Sequence, residues 1–206
     1  MIFVTSDTHF GHENILKYEQ DSRPFATIEE MNEKIIENWN SVVSEEDTVY
    51  MLGDMFLGSV ELIDKIMPRL KGKKILIRGN HDTNARVDKI KKYCEGVYNI
   101  YNLKYKDKFF VMCHYPIREW QNKEHGAIHL YGHVHSNEHR QGVLTESNSF
   151  HVGMDTNQLT PISIDEVITR FEKCKHQRIR KGEFFFCNAC GKQVRKYKIN
   201  NKEVWL

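Results

Sequence analysis

Short apolar runs that end abruptly in polar side chains recur along most of the chain. They are rich in Ile, Val, Leu and Phe, and they have the length and the branching of buried strands. Five of these runs end in Asp, Asn or His, alone or after a Gly, and they span residues 2–6, 48–52, 74–78, 109–113 and 127–131. The pattern therefore predicts a set of buried strands with polar side chains at their carboxyl ends.

Apolar residues at helical spacing lie between the first strands. Met31, Ile35 and Trp39 fall on one face of 28–43, and the preceding Thr27-Ile28-Glu29-Glu30 has the form of a capping box, so an amphipathic helix is predicted there. Three further helices are predicted at 59–70, 84–93 and 163–173. The remaining strands are predicted at 97–105, 108–114 and 149–153, the first two as a hairpin. This order predicts an α/β fold with a mixed sheet and helices packed outside it.

The composition fits one soluble domain with a small appendage. Of the 206 residues, 40% are hydrophobic and 28% are charged, and a chain of this length can bury a full core. Because no apolar run approaches the roughly 18 residues of a membrane span and the N-terminus is predicted to be a strand rather than a signal peptide, we expect a cytoplasmic protein without a membrane partner. The five cysteines are odd in number, which favours thiols or metal ligands over disulfides.

Ligand-type side chains follow each of the five strand ends. They are Asp7, His9, Asp54, Asn80, His81, Asp82, His114, His133 and His135. Each one alone could be a turn former or a buried, hydrogen-bonded residue. Because sites of α/β proteins are built at the carboxyl ends of strands, we expect all of them to converge if the strands lie side by side.

Seven of these residues form a mixed set of imidazole, carboxylate and amide ligands, namely Asp7, His9, Asp54, Asn80, His114, His133 and His135. Such a set suits Mn, Fe, Zn or Ni better than Ca or Mg, and manganese is the metal that we expect. Seven ligands are too many for one ion with an open position, but they fit two ions that share a carboxylate. Two ions about 3.5–4 Å apart can clamp a phosphoryl oxygen and turn a bridging water into hydroxide near neutral pH.

The same blocks resemble a known enzyme family. Asp7-x-His9, Gly53-Asp54, Gly79-Asn80-His81-Asp82, His114 and Gly132-His133-Val134-His135 are similar, in order and separation, to the five motifs of the calcineurin-like metallophosphoesterases. The segments 7–15 and 152–157 resemble a small, uncharacterised bacterial and phage branch of that superfamily. The resemblance covers about residues 1–172, and it implies a four-layer αββα sandwich.

The resemblance also implies a role for each residue. Asp54 would bridge two ions. One ion would further be held by Asp7, His9 and His135, and the other by Asn80, His114 and His133. His81 would bind no metal; it would protonate the leaving oxygen when the bridging hydroxide attacks phosphorus in line.

Residues beside these blocks could contact the ligand side chains or the substrate. They are His12, Arg78, Asp82 and Arg118. The first could instead point to solvent, and the last could merely keep its loop soluble. Arg78 could form a salt bridge with Asp82, and Asp155 and Asn157 are candidates to orient the ligand histidines.

The composition changes near residue 173. Residues 173–206 hold 10 Lys and Arg against 2 Asp and Glu, a net +8, whereas the preceding 172 residues hold 20 against 26, a net −6. We therefore expect a metallophosphoesterase domain at 1–172 and a small, basic, β-rich extension at 173–206. Cys187 and Cys190 have the spacing of a zinc knuckle, with Cys174 and His176 as the nearest further ligands; the alternative is a hairpin with free thiols.

The sequence thus favours a two-metal phosphoesterase acting on a diester of a nucleotide or nucleic acid. The preference for nucleic acid rests on the basic extension, whose charge and aromatic residues suit phosphate attraction and base stacking. A small-molecule phosphomonoesterase or a pyrophosphatase is the alternative enzyme. An inert metal-binding scaffold is the non-enzyme alternative, although metal binding alone would not need His81. The sequence carries no signal for an oligomeric state.

Overall fold

The structure is a computed structural model that describes residues 1–136 and 148–172, together with the backbone of short strands between 179 and 205. The strands up to residue 172 are β1 (Ile2–Thr5), β2 (Thr48–Met51), β3 (Lys73–Ile77), β4 (Gly96–Tyr98), β5 (Ile100–Tyr105), β6 (Lys108–Cys113), β7 (Ile128–Tyr131), β8 (Ser149–His151) and β9 (Ile162–Ser163). The α-helices are α1 (Ile15–Tyr18), α2 (Ile28–Val42), α3 (Glu61–Ile66), α4 (Asn84–Ile90) and α5 (Ile164–Glu172).

These strands form two mixed sheets. The first has the order β4-β3-β2-β1-β9, in which β1 to β4 are parallel and β9 is antiparallel. The second has the order β5-β6-β7-β8, in which β6 to β8 are parallel and β5 is antiparallel. The predicted α/β class with mixed sheets is confirmed.

The first sheet is buried on both faces, because successive residues of a strand point to opposite sides. In β1, Phe3 packs in a cluster with helix residues such as Trp39, whereas Val4 packs in a cluster with Phe110 and Leu130 of the second sheet. Helix α5 joins the second cluster through buried residues that include Ile164, Val167 and Phe171. Helix α2, the first sheet and the second sheet are therefore stacked in successive layers, and α5 packs against the cluster that the two sheets share.

The outer face of the second sheet is covered by the loop that follows β6. Val111 alternates with the inward-facing Phe110 and packs against Trp120 and Ala127. The indole nitrogen of Trp120 donates to the carbonyl oxygen of Ala127 at 3.0 Å. This packing holds the loop against the sheet immediately beyond the carboxyl end of β6.

Two elements differ in detail from their sequence predictions, whereas the start of a third agrees with its prediction. Helix α2 begins as expected, since the Thr27 hydroxyl accepts the Glu30 amide at 3.2 Å. The predicted helix 59–70 is the short α3 followed by a 3-10 turn that contains Pro68, because proline cannot donate a helical hydrogen bond. The single strand predicted at 97–105 is wrong: β4 pairs in the first sheet and β5 in the second, so the chain crosses between the sheets at Asn99.

The backbone after residue 173 is rich in strands. Three of them, β10 (Ile179–Lys181), β11 (Phe185–Cys187) and β12 (Gln193–Val194), form an antiparallel sheet, and β13 (Lys196–Ile199) pairs with β14 (Lys202–Trp205). Cys174, His176 and Cys190 lie outside the described residues, as does the Cys187 side chain, so the zinc site stays a prediction, and so does the boundary at 173. Within the described residues, no helix is both long and apolar enough to cross a membrane.

Candidate metal centre

The candidate ligands all lie just past the carboxyl ends of parallel strands. They follow β1, β2 and β3 of the first sheet and β6 and β7 of the second. Two groups result, and within each group the ligand atoms lie within 4.8 Å of one another: Asp7 with His9 and His135, and Asp54 with His114 and His133. The groups adjoin, since the His133 main-chain N–H donates to Asp7 Oδ2 at 2.9 Å.

The backbone is strained at these positions. Five candidate ligands have φ angles of 51–72°, in the left-handed region, namely Asp7, His9, Asp54, His133 and His135. A non-glycine residue held there costs about 1–3 kcal/mol and persists only where its surroundings enforce it. Such strain is typical of functional sites, and contacts elsewhere in the fold must hold these turns.

The second group is centred on one imidazole nitrogen. His114 Nδ1 lies 2.7 Å from the Leu52 carbonyl oxygen, so Nδ1 carries a proton and Nε2 faces the site. Nε2 lies 3.0 Å from Asn80 Oδ1, 3.2 Å from His133 Nδ1 and 3.3 Å from Asp54 Oδ2. Ligand atoms about 2.1 Å from one ion, at octahedral or tetrahedral angles, stand about 3.0–3.4 Å apart, so this spacing fits a shared cation.

In the absence of metal, the His114 imidazole carries a proton that supplies the positive charge. Burial disfavours the charged form of His114, but the hydrogen bond to Asp54 and the charges of Asp7 and Asp54 outweigh burial and raise the pKa of His114 to about 9. Burial likewise opposes ionisation of Asp54, yet the contact with His114 holds the pKa of Asp54 down at about 2. The pair is therefore charged on both sides in the metal-free protein.

The first group contains buried polar atoms without protein partners. Among the described residues, Asp7 Oδ1 and both ring nitrogens of His9 have no hydrogen-bond partner. Burial raises the pKa of Asp7 and lowers that of His9 well below its ordinary value. An unsatisfied buried polar atom costs about 1–3 kcal/mol. A divalent cation between Asp7 and His9 would satisfy these atoms, so this group also fits a metal ion.

Asp54 stands where a bridging ligand is expected. It belongs to the second group, and its negative charge also acts on the first: it adds to the effect of burial in raising the pKa of Asp7, and it opposes the burial that lowers the pKa of His9. Its Oδ1 accepts the main-chain N–H of His81 at 2.8 Å. The bridging role itself stays a prediction.

His81 lies at the mouth of the centre. Its Nε2 is 4.0 Å from Asp54 Oδ2, and its side chain is 44% exposed. Its ring centroid is 5.8 Å from that of His9. The imidazole is therefore close to the ligands and open to a substrate at the same time.

The Asp82 carboxylate holds the main chain on either side of the centre through two hydrogen bonds. Asp82 Oδ2 accepts the main-chain N–H groups of Gly79 at 2.8 Å and of Asp54 at 3.1 Å. The predicted salt bridge from Arg78 to Asp82 is wrong, because Arg78 Nη2 donates to the Asp82 main-chain carbonyl at 3.0 Å. Arg78 thus fixes the backbone of this turn.

The other candidate residues divide into those near the centre and those away from it. His12 is half-buried, with its ring centroid 5.3 Å from that of His9. Asp155 Oδ2 lies 2.7 Å from His135 Nδ1, as expected for a residue that orients a ligand histidine. Asn157 instead donates to the Gly153 carbonyl at 2.9 Å, and Arg118 is exposed.

Two features of the centre were missed from the sequence. Arg23 is fully buried and pairs with Asp155, but a lone arginine in a loop gives no signal of such a role. Gly132 packs so closely that a Cβ would overlap Ser6 Oγ and Asp7 Oδ2. The same holds for Gly79, where a Cβ would overlap Asp54 Oδ1 and lie 2.8 Å from the Asp54 nitrogen. Glycine beside the ligand motifs was the available signal.

Comparison with known proteins places these features in a family. The profile of the calcineurin-like phosphoesterase superfamily domain matches residues 1–148. An uncharacterized protein of Methanocaldococcus jannaschii is 32% identical over 178 residues, which cover 84% of this chain and 93% of the relative. The gene 66 protein of Mycobacterium phage L5 is 26% identical over 163 residues, which cover 65% of this chain and 77% of the relative.

A solved structure has a similar fold. The crystal structure of a protein of unknown function from Aquifex aeolicus superposes with a TM-score of 0.66 at 26% identity, covering 82% of this chain and 98% of that one. Both ligand groups described above lie within the matched region. The chain belongs to the calcineurin-like phosphoesterase superfamily, and it is a metal-dependent phosphoester hydrolase.

Proposed function

We propose that the protein hydrolyses phosphodiesters of nucleotides or nucleic acids with two divalent transition-metal ions, manganese first among them. The observation that carries the proposal is the convergence of two adjoining ligand groups beside a partly exposed histidine. One ion would be held by Asp7, His9, Asp54 and His135, and the other by Asp54, Asn80, His114 and His133. Ions bound there would neutralise phosphate oxygens and supply an activated water near neutral pH.

Side chains beside the ligands would donate the proton to the leaving group and contact the substrate. His81 is open enough to reach a leaving oxygen, and a positioned acid contributes about 10²–10⁴-fold to such a step. The Asp54 carboxylate accepts the His81 main-chain N–H, which fixes the backbone of His81 relative to the ligands. His12, beside His9, is placed to contact the substrate on the side of the first group.

The arginines around the centre favour a diester over a monoester. Arg23 donates all of its N–H groups to protein atoms. Arg78 donates to the Asp82 carbonyl, and Arg86 donates to the carbonyls of His81 and Gly58. A monoester dianion carries one more negative charge than a diester, and it gains more from additional cations. These three guanidinium groups are already engaged, which suits a substrate with a single charge.

Two exposed tyrosines support a nucleotide substrate. Tyr115 is 42% exposed, and its ring centroid lies 4.9 Å from that of His133 in the second group. Tyr18 is 71% exposed, 6.2 Å from His12 on the side of the first group. Exposed aromatic faces bind nucleobases by stacking. The net charge of +8 in residues 173–206 adds attraction for phosphates.

The proposal is tested by comparing two chromogenic esters with Mn²⁺ added. Faster hydrolysis of bis-(4-nitrophenyl) phosphate than of 4-nitrophenyl phosphate would support a diesterase, whereas the opposite order would identify a monoesterase. A protein that binds two ions and hydrolyses neither ester would be an inert scaffold. Oligonucleotide binding that weakens with salt and is lost on deleting 173–206 would support nucleic acid as partner.

The role of His81 has its own test. We expect His81→Asn to keep both ions and to lose about 10²–10⁴-fold in turnover of an alkyl diester, whose leaving group needs a proton. The same variant should lose little on a nitrophenyl ester, whose leaving group does not. His125→Asn, at an exposed histidine outside the candidate ligand blocks, is the matched control. Equal loss on both substrates would exclude the acid role.

A further inference from the structure

Arg23 is a fully buried arginine whose hydrogen bonds are all made inside the protein. Its side chain is 0% exposed, as is that of Asp155. Nε donates to Asp155 Oδ1 at 2.6 Å, and Nη2 donates to Asp155 Oδ2 at 2.9 Å. Nη2 also donates to the Asp7 carbonyl at 2.6 Å, and Nη1 donates to the Thr8 carbonyl at 2.9 Å and to Met31 Sδ at 3.5 Å. The five N–H groups of a guanidinium are thereby all used.

These bonds join the two parts of the first ligand group. The Asp7 and Thr8 carbonyls belong to the strained turn that carries Asp7 and His9, whose φ angles are 58° and 51°. Asp155 Oδ2, which Arg23 holds, lies 2.7 Å from His135 Nδ1. That contact keeps the Nδ1 proton in place and leaves Nε2 as the metal-facing nitrogen. One guanidinium therefore fixes both the loop after β1 and the histidine after β7.

The second ligand group is held differently. Its central histidine, His114, is oriented by the Leu52 carbonyl oxygen, 2.7 Å from Nδ1. The main-chain N–H of Asp54 donates to Asp82 Oδ2 at 3.1 Å. Within the described residues, the hydrogen bonds of Arg23 go to Asp155, to the Asp7 and Thr8 carbonyls and to Met31, and not to these side chains. Arg23 thus supports the first group directly, and it connects to the second through the hydrogen bond from the His133 main chain to Asp7.

We propose that Arg23 is a positioning residue that sets the affinity of one metal site, the one formed by Asp7, His9 and His135, and leaves the other largely unaffected. The proposal rests on the two-ion function proposed above. A guanidinium is needed because its planar fork meets a carboxylate through two parallel bonds while its remaining N–H groups reach the carbonyls. Lysine would keep the charge but offers three donors from one nitrogen, so it cannot make both sets of contacts.

The experiment measures metal binding, independently of turnover. Arg23→Lys and Arg23→Met are titrated with Mn²⁺ by calorimetry beside the wild type. Loss of partners that orient metal ligands typically weakens binding about 10–100-fold, and we expect that loss for one ion only. EPR of the variants at one equivalent of Mn²⁺ should show an isolated ion, whereas the wild type at two equivalents should show a coupled pair.

Two controls make the result specific. Arg69→Met removes an arginine that also makes a two-bond contact with a carboxylate, that of Glu33, but on an exposed surface; it should leave both affinities unchanged. A Zn²⁺ titration followed by ¹⁵N NMR of histidine rings identifies the weakened site, since His114 should still shift with the first equivalent while His135 should shift only in excess metal.

Each outcome decides between the proposals. Two ions bound by both Arg23 variants with wild-type affinities would overturn the role of Arg23 and leave the two-metal function intact. Equal weakening of both sites would show a general structural role and would also overturn it. A wild-type chain that binds fewer than two ions would overturn the proposed function, and the role of Arg23 with it. Should Arg23→Met fail to fold by circular dichroism, Arg23→Lys decides alone.

Discussion

Metal binding to the second ligand group should compete with a proton on His114. In the metal-free protein, burial is outweighed by the contacts with Asp54 and by the charge of Asp7, and the pKa of His114 is raised to about 9. A metal ligand must be neutral, so the ion has to displace this proton. At pH 7, about two units below that pKa, roughly 1% of His114 is neutral, which weakens binding about 100-fold, or about 3 kcal/mol.

The affinity of this site for Mn²⁺ should therefore rise about tenfold per pH unit between pH 7 and 9. Calorimetry in buffers of different ionisation enthalpy should detect close to one proton released at pH 7.5. ¹⁵N spectra of the metal-free protein should show His114 as imidazolium at pH 8. His129 is the internal control: it is fully buried, 3.0 Å from the Val111 carbonyl, and burial lowers its pKa, so it should stay neutral.

The free energy of unfolding of the metal-free protein should also depend on the protonation of His114. Because the folded pKa of His114 lies above the ordinary value of 6.5, its contribution is fully present below pH 6.5 and is lost as pH rises to 9, a total of about 3 kcal/mol. For a chain of this size that is about 6–12 °C in Tm. With metal bound, the stability should not fall in this way between pH 6.5 and 9. A neutral His114 at pH 8 without metal, or an affinity that stays flat from pH 7 to 9, would refute the reasoning.

Two further predictions concern the packing and the ions. Gly132→Ala should destabilise the protein by about 1–3 kcal/mol through overpacking against Ser6 and Asp7 and should weaken the ion beside Asp7. Gly126→Ala, where a Cβ meets nothing within 4 Å but φ is +83°, is the control for metal binding: the left-handed backbone should cost this variant some stability, but it should keep both ions in a metal titration. Chelation should lower Tm by about 10–20 °C, since each ion at a hundredfold excess over its Kd adds about 2.7 kcal/mol; a Tm indifferent to EDTA would contradict a two-ion centre.

Much of the centre could be predicted because its ligands follow their strands directly. Asp54 comes two residues after Leu52, and His114 follows Cys113, the last residue of β6. The apolar runs identified the strands, and the chemistry of the side chains identified the ligands. Convergence then followed from the parallel arrangement of the strands.

Other features depended on contacts between distant segments. The apolar pattern of 97–105 is the same whichever sheet it joins, so only the tertiary structure divides it into β4 and β5. Asp82 was expected to pair with Arg78, but its carboxylate accepts the main-chain N–H of Asp54 at 3.1 Å. Arg23 carried no signal, because its partner Asp155 lies 132 residues away.

The sequence by itself determined most of the strands, the main helices, the candidate ligands and the superfamily, because periodicity and residue chemistry are local properties of the chain. The tertiary structure decided which ligands form each group, which nitrogen of His114 and of His135 faces the site, and which buried arginine supports the Asp7 turn. These are distances between side chains brought together from separate strand ends, and only the folded packing of two sheets fixes them.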